Sequence, residues 1–155
     1  MAERYDDVHP GDDLVNLAFA GTGALVGTSI AGAVLPDTFG LVHAILSGLL
    51  FAIGTGALLW AYALGVSRSR AVEVTLGGLF FLAGGAAPPD VRRRLRIALA
   101  VEVVVVVTAA AIRPFSEVAF GILAPMFGLG LMAMWGGRHG SFPARADLDP
   151  GAPRS

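Results

Sequence analysis

The sequence predicts an all-α integral membrane protein, a helical bundle of four transmembrane helices plus a glycine-rich re-entrant or short fifth segment. Of its 155 residues 55% are apolar and its mean hydropathy is +0.70, which is more apolar surface than a soluble domain of this size can bury. The apolar residues form uncharged stretches of about 20 residues, the length that crosses a bilayer. Arginines flank these stretches, and the chain contains no lysine. The predicted transmembrane domain is 14–139.

The first half of the chain predicts a helical hairpin. A polar, acidic N-terminal tail at 1–13 precedes a first span at 14–35, which carries no charge. A second span at 39–65 follows after only a short turn that contains a proline and an aspartate. Because the connection is so short, we expect the two helices to pack side by side and antiparallel.

Small residues four apart mark one face of several predicted helices. Such residues let neighbouring helices approach closely in a membrane, so we expect the stripes of the first two spans to contact each other. The residues predicted to pack helices are Gly23, Gly27 and Ala31 in the first span, Ala44, Gly48, Ala52 and Gly56 in the second, and Ala124 and Gly128 in the last.

Residues 71–87 admit two interpretations. Their uncharged part, 74–87, is short and contains two glycine pairs, which favours a re-entrant or interfacial segment over a span. With four spans both termini are cytoplasmic, and Arg113 is the only arginine outside. With five spans the N-terminus is outside, together with Arg4, Arg68, Arg70 and Arg113. The positive-inside rule favours the four-span form.

The second half of the chain predicts two further spans. The helix that starts at Pro88-Pro89-Asp90 crosses the membrane at 95–113, where Arg113-Pro114 ends it. The last span is 118–137, and Pro125 should kink it near its middle. The remaining residues, 140–155, are rich in Pro, Gly, Arg and Asp and predict a disordered C-terminal tail.

Two ionisable residues are predicted to lie inside the membrane. Glu102 lies about 9 Å along its helix from Arg96 and should face the bundle. It is either a proton or cation relay or a structural group, bonded to another helix or to an arginine that reaches down. His43 lies early in the second span, near the non-cytoplasmic interface, and is either a proton sensor or a partner in a helix–helix hydrogen bond.

A basic cluster lies where the third predicted span begins. Its members are Arg92, Arg93, Arg94 and Arg96. Such a cluster anchors the topology of the chain, and it also attracts anionic lipid headgroups. Both roles are open from the sequence.

No catalytic, metal or cofactor site is predicted, and we expect no enzyme activity. The chain has no cysteine, and without lysine it cannot form a Walker A loop. The sequence contains neither a His-Glu-x-x-His motif nor a nucleophile elbow.

Four short runs resemble one group of proteins. They are residues 78–84 (GLFFLAG), 87–93 (APPDVRR), 112–115 (IRPF) and 125–130 (PMFGLG). Together they resemble the small uncharacterised membrane proteins of actinobacteria, over roughly residues 14–139. The resemblance implies a plasma-membrane location. That group has no assigned activity, so it implies no mechanism.

Two functional hypotheses follow. The first is a non-enzymatic accessory or scaffold subunit of a membrane complex, since small-residue stripes are abundant and little chain lies outside the spans. The second is a small proton- or cation-coupled transporter or channel that uses Glu102. The expected partners are the lipid bilayer and either other membrane subunits or a second copy of the chain. We expect no nucleic acid partner.

Overall fold

The structure, a computed structural model, describes residues 11–144. It has the α-helices α1 (Asp12–Val34), α2 (Pro36–Arg68), α3 (Leu76–Phe81), α4 (Pro89–Ile112) and α5 (Pro125–His139), with a 3-10 helix at Glu117–Leu123 before α5. The predicted all-α fold is confirmed. The predicted N-terminal and C-terminal tails lie mostly outside the described residues.

Four helical stretches are long and apolar enough to cross a membrane. They are α1, α2, α4 and the combined stretch Glu117–His139, and this count agrees with the four-span prediction. The helix α3 has six residues and therefore a length of about 9 Å, against about 30 Å for the hydrocarbon core of a bilayer. The five-span alternative is thus wrong, because the segment at 71–87 folds as one short helix followed by a turn.

The turn after α3 depends on left-handed backbone. Gly84 and Gly85 have φ angles of 64° and 80°, and Leu82, the C-cap of α3, has a φ of 52°. Glycine adopts such angles without the steric penalty of a side chain. The glycine pair at 84–85 therefore reverses the chain toward α4.

The helix α5 is the central element of the bundle. In Glu117–His139, the stretch that contains α5, 56% of the most apolar 18 residues are buried, against 22–28% of the corresponding residues in the other three spans. Its glycines allow this. A methyl group built on Gly130 would meet the backbone carbonyl of Gly54 in α2, and one built on Gly136 would meet the carbonyl of Leu79 in α3. The backbones of these helices are in direct contact.

The predicted contact between the small-residue stripes of the first two spans is wrong. Methyl groups built on Gly23, Gly27, Gly48 and Gly56 would have no atom within 4 Å, so these glycines face outward. Ala52 is exposed, and Ala31 and Ala44 are half-buried. Contact between α1 and α2 instead involves Gly32, whose added methyl would lie 3.7 Å from the Cβ of His43. In the last span, Ala124 and Gly128 are buried, in agreement with their predicted packing role.

The last span changes helix type at Pro125, and we call this change the break at Pro125; Ala124, between the two helices, keeps right-handed helical backbone. A 3-10 helix runs from Glu117 to Leu123, and α5 then begins at Pro125. Proline suits the first position of a helix, because its missing N–H would have no partner inside the helix there. Pro125 therefore starts a new helix in the middle of the predicted span.

Nearly all the described arginines lie at one end of the bundle. Arg68, at the end of α2, donates to the carbonyls of Gly137 and Gly140 at 2.9 and 2.8 Å. Arg94 of α4 lies 3.8 Å from Asp12 at the start of α1. At the opposite end, Arg113 donates to the carbonyl of Ala33 at 3.1 Å. We call the first the arginine-rich end and the second the Arg113 end.

Residues 140–144 were predicted as part of a disordered tail, and this is wrong for the part that the structure describes. The N–H of Ser141 donates to the carbonyl of Ala86 at 3.0 Å, and the N–H of Glu73 donates to the carbonyl of Pro143 at 2.9 Å. The guanidinium of Arg68 lies 5.3 Å from the centre of the Phe142 ring. These contacts bind the end of α5 to the segment around α3.

Cysteine labelling tests this topology, since the chain has no native cysteine. Single cysteines in place of Ser67, Asp90 and Phe115 all lie at exposed positions. In sealed vesicles of one orientation, a membrane-impermeant maleimide should label S67C and D90C from the same side. It should label F115C only from the opposite side, because one span separates it from Asp90. Labelling of S67C and D90C from opposite sides would mean that residues 71–87 cross the membrane.

Candidate functional site

The carboxylate of Glu102 lies at the meeting point of three helices. Its side chain is 0% exposed, and it lies on the inward face of α4 together with Ala98 and Val106. The hydroxyl of Thr22 in α1 donates to Oε1 at 2.9 Å, and the N–H of Gly128 in α5 donates to Oε2 at 3.2 Å. The predicted inward orientation agrees with the structure. An arginine reaching down from the cluster was the alternative partner; Arg96, the cluster member nearest to Glu102 in the sequence, instead donates to the carbonyl of Phe81.

The break at Pro125 explains why the carboxylate lies there. Gly128 is in the first turn of α5, where backbone N–H groups lack intrahelical partners and the helix dipole places partial positive charge. Gly128 also leaves room, since a methyl group built on it would lie 2.5 Å from Oε2. A carboxylate inside the bundle thus meets the positive end of a helix that begins inside the membrane.

His43 lies in a second, separate polar contact nearer the Arg113 end. Its imidazole is 0% exposed, and Nδ1 lies 3.1 Å from the hydroxyl of Thr28 in α1. The other nitrogen, Nε2, faces the 3-10 helix, where a methyl group built on Gly121 would be 2.5 Å away. The predicted helix–helix hydrogen bond is therefore present, and the proton-sensor interpretation stays a prediction.

The two buried ionisable groups do not form one network. Glu102 binds Thr22 and His43 binds Thr28, and these two threonines are six residues, or about 9 Å, apart along α1. No hydrogen bond joins Glu102 to His43 within residues 11–144. The oxygens of Ser29 and Ser47 and the Nε2 of His43 are buried without a hydrogen-bond partner in that range.

The arginine cluster divides into two pairs. Arg94 contacts Asp12 and lies 5.9 Å from the centre of the Phe19 ring, and Arg96 donates to the carbonyl of Phe81 at 2.7 Å. Arg94 therefore links α4 to α1, and Arg96 links α4 to α3. Arg92 and Arg93 make no hydrogen bond or ion pair with the described residues, so their charges are available to the surroundings.

Sequence reasoning missed several residues that hold these contacts. Thr22 and Thr28 supply the hydroxyls to the two buried ionisable groups, and their only signal was a polar residue inside an apolar span. Arg68 binds two carbonyls of the C-terminal segment, a role that its position in the sequence did not indicate. Among the described residues no group of three or more His, Cys, Asp and Glu side chains could hold a metal ion.

Replacing Gly128 by alanine should destabilise the bundle. The new methyl group would collide with the Glu102 carboxylate, and overpacking of this kind typically costs about 1–3 kcal/mol. The measurement is the apparent melting temperature of the purified protein in detergent. G48A is the matched control, because it makes the same change in a helix where no atom lies within 4 Å. We expect G128A to melt lower than wild type and G48A to melt at the same temperature or higher. Equal melting temperatures for the two variants would contradict the close contact at Gly128.

Comparison with protein-family models, with curated proteins and with solved structures finds no match for this chain. The resemblance to small actinobacterial membrane proteins stays a prediction.

Proposed function

We propose that this chain is a non-enzymatic accessory or scaffold subunit of a membrane complex, in which it binds at least one other membrane subunit. The observation that carries the proposal is the outward orientation of Gly23 and Gly27 on α1 and of Gly48 and Gly56 on α2. Glycine inside a helix lowers helix stability, and close approach of a neighbouring helix is a common reason to keep it there. In the part of the chain that the structure describes, a methyl group added to any of these four glycines would have no atom within 4 Å.

The closed interior supports the same proposal. Both oxygens of Glu102 accept hydrogen bonds from within the bundle, and the imidazole of His43 has a partner on a neighbouring helix. A transport path would require polar groups linked from one end of the bundle to the other. The two polar contacts are instead separate and locally bonded, which is the pattern of helix-to-helix fastening.

The proposed setting is the plasma membrane, with the arginine-rich end in the cytoplasm. Within the described residues every arginine except Arg113 lies at that end. Positive residues are enriched on the cytoplasmic side of membrane proteins, which supports this orientation. Both termini would then be cytoplasmic.

Purification in mild detergent from the native host, followed by native mass determination, tests the subunit proposal. A stoichiometric foreign membrane protein should accompany the wild-type chain. G48L should lose this partner while keeping its fold, because a leucine side chain would prevent close approach of the partner at α2. A111L is the control, because it adds a similar side chain to the exposed face of α4. Loss of the partner from both variants, or from neither, would contradict a role for the α2 glycine face.

The second candidate function is a proton- or cation-coupled transporter, which one observation favours: Glu102 is a carboxyl group inside a membrane span. Homo-oligomers without a foreign partner in the purification above would favour it further. E102Q separates the two proposals, because glutamine can replace both hydrogen bonds. Its carbonyl accepts from the Gly128 N–H, and its NH2 donates to the Thr22 hydroxyl oxygen. The single Thr22 hydroxyl proton, no longer given to a carboxylate, is then available to the Ala18 carbonyl 2.8 Å away.

If the chain is a scaffold, E102Q should keep the wild-type melting temperature and the wild-type partner. Proton or cation flux into reconstituted vesicles should then be the same for E102Q and for wild type. Loss of a measurable proton or cation flux with an intact fold would overturn the scaffold proposal in favour of transport. T22V provides the structural comparison, because it removes a hydrogen bond without touching the carboxyl group. Such bonds inside membranes are worth about 0.6 kcal/mol on average, so T22V should reduce stability only slightly.

A further inference from the structure

An apolar groove opens on the side of the bundle directly below α3. Its volume is about 580 Å³, and its walls include Phe81 from α3, Leu99 and Val103 from α4, and Met132 from α5. It exists because α3 ends at Phe81 after six residues, whereas α4 continues to Ile112. The wall of the bundle that a fifth span would have covered is thus left open toward the lipid.

One charged residue, Arg96, lines this otherwise apolar groove. Two of its nitrogens donate to the carbonyl of Phe81, at 2.7 and 3.3 Å, which leaves further N–H groups of its five without a partner in the described residues. Arg96 lies about 10 Å along α4 from Val103, nearer the arginine-rich end. The groove is therefore positive at interfacial depth and apolar below.

A second depression continues the basic surface beyond Arg96. Arg92, one helical turn earlier on α4, lines it together with Gly85 and Ser141, and its volume is about 470 Å³. Arg92 and Arg93 have no partner within residues 11–144. Gly85 has open space around its Cα, so the backbone there can be approached closely.

We propose that one anionic phospholipid occupies this site as a bound ligand. Its phosphate would accept hydrogen bonds from Arg96, with Arg92 or Arg93 close by, and an acyl chain would lie against Leu99, Val103 and Met132. Arginine suits this role because its planar guanidinium binds phosphate oxygens in pairs. The charge pattern favours this occupant over the transmembrane helix of a partner, because every phospholipid of this class brings a phosphate to Arg96 whereas a helix does so only if it carries a carboxylate at that depth. The proposal does not depend on the accessory role.

Native mass spectrometry of the purified full chain tests the site. The protein is stripped of lipid in detergent and titrated with phosphatidylglycerol or with phosphatidylcholine of the same acyl chains. Wild type should retain phosphatidylglycerol at one equivalent and more tightly than phosphatidylcholine. R96Q should weaken the affinity for phosphatidylglycerol about fivefold, since one arginine near a lipid headgroup is worth about that factor. R96K keeps the charge but not the paired N–H groups of the guanidinium, so it should recover part of the affinity.

Two matched controls separate lipid binding from structural damage. R113Q also removes an arginine that donates to a backbone carbonyl, but at the opposite end of the bundle, and should retain wild-type affinity. A100W fills the groove and should lose bound phosphatidylglycerol, whereas A111W places the same side chain on an exposed part of α4 that does not line the groove. R96Q adds no volume, so it tests the contact even if A100W fails to fold.

Three outcomes would overturn the proposal. One is equal affinity of wild type for the two lipids. Another is equal loss of affinity in R96Q and R113Q. The third is that A100W keeps its bound lipid but loses a co-purifying protein, which would assign the groove to a partner helix.

Discussion

The contact of the Glu102 carboxylate with Thr22 and with the first turn of α5 joins three of the spans inside the bundle. In a bilayer an unsatisfied polar group costs several kcal/mol, so a carboxylate in a span must find its partners inside the bundle. Here the partners come from two other helices, α1 and α5, and the contact therefore fixes three helices relative to one another. The break at Pro125 belongs to the same arrangement, because it creates a helix N-terminus inside the membrane that faces the carboxylate. Broken helices of this kind are tolerated in membranes where protein surrounds the freed backbone groups, and Ala124 and Gly128 are both buried.

Close backbone contact is the second constraint, and it shows where sequence reasoning failed. Spacing of small residues by four identifies a helix face, but not what that face meets. In a chain with 21 glycines the outward stripe on α2 and the buried Gly54 look alike in sequence. The buried glycines of α5 contact the backbones of neighbouring helices because α5 lies at the centre of the bundle. Which helix lies at the centre depends on how all the helices assemble. The predicted hairpin contact failed for this reason, whereas the span count, which depends only on length and hydropathy, was confirmed.

The same division holds for the polar residues. Hydropathy alone predicts that Glu102 must face inward, since a carboxylate facing lipid is costly, and the structure agrees. Its partners could not be predicted, because Thr22 and Gly128 lie far from it in the chain and meet it only through tertiary packing. The arginine cluster was recognised from the sequence as one unit. Arg94 and Arg96 bind other helices whereas Arg92 and Arg93 bind none of the described residues, and this division depends on where Asp12 and Phe81 lie. Arg68 acquired a structural role for a similar reason, because the residues after α5 return to the end of α2.

These constraints also indicate where the protein meets its surroundings. Within residues 11–144 the interior contains close backbone contacts and two polar contacts that are each bonded locally. The outer surface has two features that packing within one chain does not require. It has glycines with open space on α1 and α2, and a groove below α3 with an arginine among its lining residues. The two features differ in chemistry, since the first is uncharged and shaped for a close backbone and the second pairs an apolar wall with a positive charge. A second helix is the proposed occupant of the former and an anionic lipid of the latter, so the two proposals assign protein binding to one face of the bundle and lipid binding to another.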